Sequence, residues 1–77
     1  MSGRAGSATT IELWVNGERR RVTAGDIVSL VAELGLDPAG RGLAVARNGE
    51  VVPRGRWDRT ALAPDDRIDI VGAVQGG

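Results

Sequence analysis

The 77-residue sequence contains no cysteine and no histidine. Without cysteine it can form no disulfide, no thiolate metal site and no thiol nucleophile. Without histidine it lacks the commonest metal ligand and the usual general base. Carboxylates could still transfer protons, but a chain this short leaves little room for a substrate pocket. We therefore expect a protein that is not an enzyme by itself.

Lysine is also absent, so all ten positive charges are arginines, and ten acidic residues balance them. A formal net charge of zero argues against a general nucleic-acid binder, which is normally clearly basic. The longest apolar run is far too short to span a membrane, and no apolar signal-peptide region is found near residue 1. These features predict a cytoplasmic protein whose partners are neither nucleic acids nor membranes.

The sequence divides into three segments. Residues 1–10 are small and polar without a period, which predicts a disordered leader. Residues 11–71 carry the periodicity of one small folded domain. Residues 72–77 predict a flexible C-terminal tail that ends in two glycines.

Short alternating segments predict a sheet. We expect strands over residues 11–15, 18–22, 43–47, 50–53 and 67–71. Asn16-Gly17 and Asn48-Gly49 separate two pairs of them, and Asn-Gly is a strong hairpin signal because both central residues of a type I′ turn need positive φ. Strand 18–22 holds three consecutive arginines, which favours a solvated edge strand over a phosphate site. Pro53 places strand 50–53 at the other edge.

A helix is predicted over residues 26–35. Its apolar residues recur at the spacing of one helix face: Ile27, Leu30, Val31 and Leu34. Asp26 is a suitable N-cap, and Gly35 a suitable residue just after the C-terminus. The later segment 54–66 is predicted to be irregular and polar, anchored by Trp57 and Leu62.

Together these elements predict an α+β fold, a mixed four- to five-stranded sheet with one main helix packed on one face. No Phe or Tyr is available for the core. The predicted core is aliphatic and consists of Ile11, Leu13, Val15, Ile27, Leu30, Val31, Leu34, Val45, Ile68 and Ile70.

A hairpin, a helix and further strands before a Gly-Gly terminus resemble the β-grasp, ubiquitin-like proteins. Within that group the sequence is similar to the ThiS family. The resemblance covers residues 11–77 and rests on "IELWVNGE", "GDIVSLVAELGLDP", "LAVARNGEVVPRGRW" and "LAPDDRIDIVGAVQGG". Asp65 stands where the family more often has Gly, which bears on the geometry of that turn. Asp26 replaces the usual Thr, another good helix cap.

The resemblance implies a sulfur carrier for thiazole formation in thiamine biosynthesis. A ubiquitin-activating-like adenylyltransferase (ThiF-like) would adenylate the Gly77 carboxylate with ATP and Mg²⁺, which the partner and not the carrier binds. A sulfur donor such as a cysteine desulfurase would convert the adenylate to a thiocarboxylate, and thiazole synthase (ThiG-like) would take the sulfur. No catalytic or metal-binding residue is implied in this chain.

The residues of the tail suit this chemistry. A C-terminal carboxylate is ionised at neutral pH and is a poor electrophile, so a partner must activate it. Glycine has no Cβ to obstruct a narrow active site. Gly76, Gln75 and Val74 are therefore expected to enter the partners' active sites together with Gly77.

Three further residues are candidates for partner docking. Trp14 points away from the apolar face of its strand, so it is expected either to be exposed for a partner or to pack against the aliphatic stems of a neighbouring strand. Arg54 and Arg56 could pair with an acidic patch on the activating enzyme or be solvated loop charges. Trp57 is expected to cover the open end of the core.

Other functions stay open. The small subunit of molybdopterin synthase is also a β-grasp carrier ending in Gly-Gly, although its tail usually has prolines that "IVGAVQGG" lacks. A carrier for another sulfur pathway or a ubiquitin-like protein tag is a second alternative. A β-grasp module that binds RNA or protein is a third, and it should tolerate a C-terminal tag, whereas a carrier needs a free Gly77 carboxylate.

Overall fold

The computed structural model describes residues 9–72, which form a five-stranded sheet with a helix on one face. The elements are β1 (Ile11–Val15), β2 (Glu18–Val22), α1 (Ile27–Glu33), β3 (Leu43–Arg47), β4 (Glu50–Val51) and β5 (Arg67–Gly72). The strand order is β2-β1-β5-β3-β4. β1 and β5 pair in parallel, and the other neighbouring strands are antiparallel. The predicted α+β fold is confirmed.

The two Asn-Gly pairs form the predicted tight turns. Asn16 and Gly17 have φ values of 51° and 84°, and Asn48 and Gly49 have 52° and 86°. Positive φ at both central residues is what a type I′ turn requires. The first turn joins β1 to β2 and the second joins β3 to β4, so both hairpins have the register that a two-residue loop sets. As predicted, β2 and β4 are the edge strands.

Helix α1 has a capping group at each end. The Oδ1 atom of Asp26 accepts a hydrogen bond of 2.8 Å from the Ser29 N–H. At the other end Gly35 has a φ of +82°, and two hydrogen bonds of 3.0 Å close the last turn, from the Gly35 N–H to Ala32 and from the Leu36 N–H to Val31. This is a Schellman motif. Both predicted caps are confirmed, and the helical residues between them are Ile27–Glu33.

The core lies between α1 and the sheet. The buried apolar residues are Leu13, Val15, Val22, Ala24, Ile27, Leu30, Val31, Val45, Trp57, Ile68 and Ile70. Two residues predicted in the core, Ile11 and Leu34, are only half-buried against it. Both stand at the end of their element, where fewer neighbours can cover a side chain.

The prediction of an irregular segment over residues 54–66 is wrong in its first half, where Arg54–Arg59 form a 3₁₀ helix. No apolar period marks this helix, because Trp57 is its single buried residue. The Trp57 side chain is 1% exposed, and its indole N–H donates to the Val52 carbonyl at 2.9 Å. Leu62 packs half-buried against the core, so both predicted anchors of the segment are confirmed.

Candidate functional site

The C-terminal tail follows the central strand β5. This strand extends one residue beyond the predicted bound, because Gly72 pairs with Leu43 of β3. Val74, Gln75, Gly76 and Gly77 lie outside the described residues, so their entry into partner active sites stays a prediction. What the structure establishes is the place in the sheet from which the tail starts.

A groove lies beside Gly72, between the C-terminal end of α1 and the sheet, and measures about 340 Å³. Apolar side chains line part of it, from Val15, Leu34, Leu36, Leu43 and Ile70, and Leu36 is exposed there. Polar and charged side chains line the rest, from Asn16, Glu18 and Arg20.

Trp14 lies on the sheet face opposite α1, as its position in β1 predicts. Its side chain is 37% exposed, and the guanidinium of Arg19 lies over its ring, 5.2 Å from the centroid. Arg19 is the cross-strand partner of Trp14 in β2. Trp14 is therefore accessible and also packs against Arg19 of the neighbouring strand, whereas its docking to a partner stays a prediction. The two-residue Asn-Gly loop fixes this pairing, so the sequence already contained the signal for Arg19.

Charged residues surround Trp14. Arg19 forms ion pairs with Glu12 at 3.1 Å and with Asp65 at 2.8 Å, and Arg21 pairs with Glu12 at 2.9 Å. Hydrogen bonds from Arg21 and then Arg19 lower the pKa of the Glu12 carboxyl. Hydrogen bonds to Asp65 and Glu12 raise the pKa of Arg19. The outer face thus presents one partly exposed tryptophan within a neutralised network of charges.

Asp65 shows how this chain accommodates its departure from the usual glycine. Its φ is +67°, in the left-handed region that glycine adopts freely and that aspartate tolerates better than most residues. The backbone of the turn is therefore of the kind that glycine would give. The carboxylate gained at this position binds Arg19.

The two arginines predicted to dock have different surroundings. Arg54 donates to the carbonyls of Ala39 at 2.7 Å and Pro38 at 2.9 Å, and its guanidinium lies 5.0 Å from the centre of the Trp57 ring. It thereby fastens the loop after α1 to the 3₁₀ helix. Arg56 is exposed and borders a shallow cleft beside β4. Docking by either arginine stays a prediction, and Arg54 has a structural role as well.

Sequence reasoning missed a buried carboxylate at the start of β5. Asp66 is 6% exposed and accepts hydrogen bonds from Arg47 Nε at 2.8 Å, the Ala63 N–H at 2.9 Å and Asn48 Nδ2 at 3.1 Å. Burial acts to raise the pKa of Asp66, but the hydrogen bonds from Arg47, Ala63 and Asn48 outweigh it and lower that pKa. Arg47 and Asn48 lie 19 and 18 positions from Asp66 in the sequence, so no local pattern indicated the cluster. Its place under the turn indicates a structural role.

Residues 9–72 contain no group of three or more His, Cys, Asp or Glu side chains that could hold a metal ion. No helix within them is long and apolar enough to cross a membrane.

A mixed sheet in which β1 and β5 pair in parallel, with one main helix on a single face, defines the β-grasp class. The model of the ThiS family matches residues 13–77, and the chain belongs to that family. The fold agrees with solved structures of the family.

The chain is similar to a curated protein and to solved structures. It is 38% identical over 68 residues to a thiazole synthase of Paramagnetospirillum magneticum, a match covering 87% of this chain and 20% of that protein. The chain therefore spans about a fifth of the length of that relative. A crystal structure of the thiamine biosynthesis protein ThiS from Geobacter metallireducens is 27% identical, with a TM-score of 0.73 over 87% of this chain and 100% of that chain. A solution structure of a thiamine biosynthesis protein from the same organism is also 27% identical, with a TM-score of 0.72 over 87% of this chain and 88% of that one.

Family membership and this structural likeness support the role of a sulfur carrier in thiamine biosynthesis.

Proposed function

We propose that this chain carries sulfur as a thiocarboxylate on Gly77 and delivers it for thiazole formation. The observation that carries the proposal is that the family match runs through Gly76 and Gly77. These two residues follow closely on β5, a central strand that is paired through Gly72. Strand β5 thus ends three residues before two glycines, whose lack of side chains suits a narrow active site.

The chemistry begins with activation of the Gly77 carboxylate by a partner adenylyltransferase. A carboxylate oxygen attacks the α-phosphorus of ATP and pyrophosphate leaves, which gives an acyl-adenylate. The terminal sulfur of a donor persulfide then attacks the acyl carbon, AMP leaves, and an acyl disulfide forms. A second thiol cleaves the disulfide, so that the thiocarboxylate stays on Gly77 and the donor and the thiol end as a disulfide. ATP and Mg²⁺ belong to the partner.

Thiazole synthase is the proposed acceptor. A segment similar to this chain lies within a protein named thiazole synthase, which supports a functional association between the two. After the sulfur is delivered, Gly77 is again a carboxylate and can be activated once more. In this proposal the chain is a recycled co-substrate and not a catalyst.

The test is the intact mass of the natural protein after incubation with ATP, Mg²⁺, the adenylyltransferase and a persulfide donor. We expect a gain equal to the replacement of one oxygen by sulfur. Deletion of Gly77 or a C-terminal tag should prevent the gain and leave the fold intact by circular dichroism. An unchanged mass with an adenylyltransferase that is active on another carrier would contradict the proposal.

The choice of pathway is tested with the loaded carrier. Thiazole synthase should remove the sulfur, and molybdopterin synthase should not. Transfer to molybdopterin synthase alone would move the function to that pathway. Full activity of a C-terminally tagged chain would instead favour a binding module.

A further inference from the structure

The side chain of Asn16 bonds to β5 at a position that β1 itself does not reach. The pairs of the β1–β5 ladder are Trp14 with Arg67 and Val15 with Ile68. The chain then turns away at Asn16, whose backbone N–H still donates to the Ile68 carbonyl at 2.9 Å. Strand β5, however, continues to Gly72.

The carboxamide of Asn16 continues the ladder past this point. Its Oδ1 atom accepts a hydrogen bond of 2.8 Å from the Ile70 N–H, and its Nδ2 atom donates to the Ile70 carbonyl at 3.2 Å. A carboxamide has the same acceptor and donor as a backbone peptide unit. The side chain therefore binds both backbone groups of Ile70 as a neighbouring strand would.

This contact holds the last part of β5 on its second side. On the first side β3 pairs with β5 as far as Leu43 and Gly72. Ile70 stands only two residues before Gly72, beyond which five residues lead to Gly77. Five extended residues reach at most about 18 Å, so the position and direction of β5 at Ile70 limit where the Gly77 carbonyl can be placed.

We propose that Asn16 is a positioning residue for the carrier reaction, because its carboxamide fixes the strand from which the tail starts. This inference rests on the proposed function. Reactions of a bound end group are sensitive to displacements of about 1 Å, which can cost about 100-fold in rate. Loss of a clamp that lies seven residues from the reacting carbonyl should have a smaller effect, on the order of 10-fold.

The chain contains a matched control in its second Asn-Gly turn. Asn48 has nearly the same φ as Asn16, 52° against 51°. Its Oδ1 atom accepts a 2.8 Å hydrogen bond from the Arg67 N–H, and its Nδ2 atom donates to Asp66. Asn48 thus clamps the first residue of β5, at the end away from the tail.

The experiment compares Asn16→Gly with Asn48→Gly in the full chain. Glycine adopts positive φ without strain, so each variant keeps its turn and loses only the carboxamide. Hydrogen exchange of the Ile70 amide measures the clamp directly. The rate of thiocarboxylate formation with the adenylyltransferase, resolved into kcat and KM for the carrier, measures its consequence.

We expect Asn16→Gly to speed exchange at Ile70 and to lower kcat about 10-fold with little change in KM, because the predicted docking residues Trp14, Arg54 and Arg56 are unchanged. Asn48→Gly should leave exchange at Ile70 and kcat within about twofold of the wild type, although it loses contacts to both Arg67 and Asp66.

Equal losses of kcat in the two glycine variants would overturn the positioning role, since general destabilisation would then explain both. Unchanged exchange at Ile70 in Asn16→Gly would also overturn it. A wild-type chain that forms no thiocarboxylate would overturn the proposed function and this role together. The two failures are therefore distinguishable by the wild-type result.

Discussion

The two tryptophans lie in opposite regions of the molecule, and each has an arginine over its ring. Trp57 is on the helix side of the sheet, 1% exposed, with Arg54 at 5.0 Å from the ring centroid. Trp14 is on the outer face, 37% exposed, with Arg19 at 5.2 Å. The same pair of residue types thus occurs once in the core and once on the surface.

The difference lies in what else each arginine binds. Arg54 binds two backbone carbonyls of the loop after α1 and so ties that loop to the 3₁₀ helix that holds Trp57. Arg19 binds exposed carboxylates, which water can solvate at small cost. Arg54 therefore holds the structure closed around Trp57. Arg19, in contrast, leaves Trp14 on the surface, where a partner could displace the arginine.

The largest effect is expected from Trp57→Ala. Removing a fully buried aromatic side chain should cost about 3–5 kcal/mol of the free energy of unfolding, whereas Trp14→Ala should cost about 1 kcal/mol or less. Urea denaturation measures both. Because Trp57→Ala could prevent folding, Trp57→Phe serves as a milder variant, which loses the hydrogen bond to Val52 and should cost about 1–2 kcal/mol. A larger cost for Trp14→Ala than for Trp57→Phe would contradict the contrast between the two regions.

The next largest effect is expected from Gly40→Ala, which tests how closely the loop packs on Trp57. A Cβ at Gly40 would lie 2.7 Å from atoms of the Trp57 ring and of the Arg54 side chain, and the φ of Gly40 is +75°. Strain and overpacking together should cost about 3 kcal/mol.

Gly35→Ala is the matched control for this prediction. Gly35 has a φ of +82° and open space around the site of a Cβ, so only the backbone strain of about 1–2 kcal/mol should appear. Thermal denaturation of the two variants gives the difference. Equal losses of stability would mean that the loop around residue 40 shifts to make room for the added methyl group. Trp57 would then be packed less tightly than the structure indicates.

Local chemistry in the sequence predicted most of the fold. The bounds of β1, β2 and β3 follow from side-chain alternation and the Asn-Gly turns, and the ends of α1 follow from Asp26 and Gly35. The 3₁₀ helix was missed, because one buried tryptophan gives no period. Where the pattern of burial is carried by several residues, the sequence was sufficient.

The candidate site was only partly predictable. The outward direction of Trp14 follows from strand alternation, and its pairing with Arg19 follows from the hairpin register. The contact of Asn16 with Ile70 joins residues 54 positions apart. It depends on β1 and β5 being parallel neighbours, a consequence of the whole topology that no local pattern contains. Asp66 and Arg47, 19 positions apart, meet because β3 pairs with β5, which is also a consequence of the topology.

A smaller effect on stability is expected at Asp66, whose turn is attached to the strand of Trp14. The Trp14 N–H donates to the Asp66 carbonyl at 2.8 Å, and the pKa of the Asp66 carboxyl is lower in the folded chain than its ordinary value. A lowered pKa means that ionised Asp66 stabilises the fold fully above the unfolded-state pKa, about 3.9, and that this contribution is lost as pH falls through the folded-state value. Asp66→Asn should lower the free energy of unfolding by about 2 kcal/mol at neutral pH. In this variant the free energy of unfolding should also decrease less as the pH falls.

Urea titrations across the acid range measure how the free energy of unfolding decreases with falling pH, and Glu12→Gln is the control. Glu12 also has a lowered pKa, but its bonds to Arg19 and Arg21 are exposed. The contribution of Glu12 to the loss of stability at acid pH should therefore be small and should decrease with added salt. If the loss of stability at acid pH disappears in Glu12→Gln and persists in Asp66→Asn, Glu12 and not Asp66 is responsible for it.

The smallest effect on folding, and the largest on a partner, is expected at Trp14. If the outer face docks the adenylyltransferase, Trp14→Ala should raise KM for the carrier at least about 10-fold, since central tryptophans dominate the energy of many interfaces. Val51→Ala removes another exposed apolar side chain, 71% accessible, which lines the cleft that Arg56 borders, so it should leave KM unchanged if the outer face docks. Arg56→Ala tests another predicted docking residue. Its effect on KM should depend on salt, because a charge at an interface rim acts mainly on the rate of association. An unchanged KM in Trp14→Ala with a raised KM in Arg56→Ala would move the docking surface from the outer face to the cleft beside β4. Trp14 would then be exposed without a docking role. This result would contradict most strongly the contrast between a structural Trp57 and a docking Trp14.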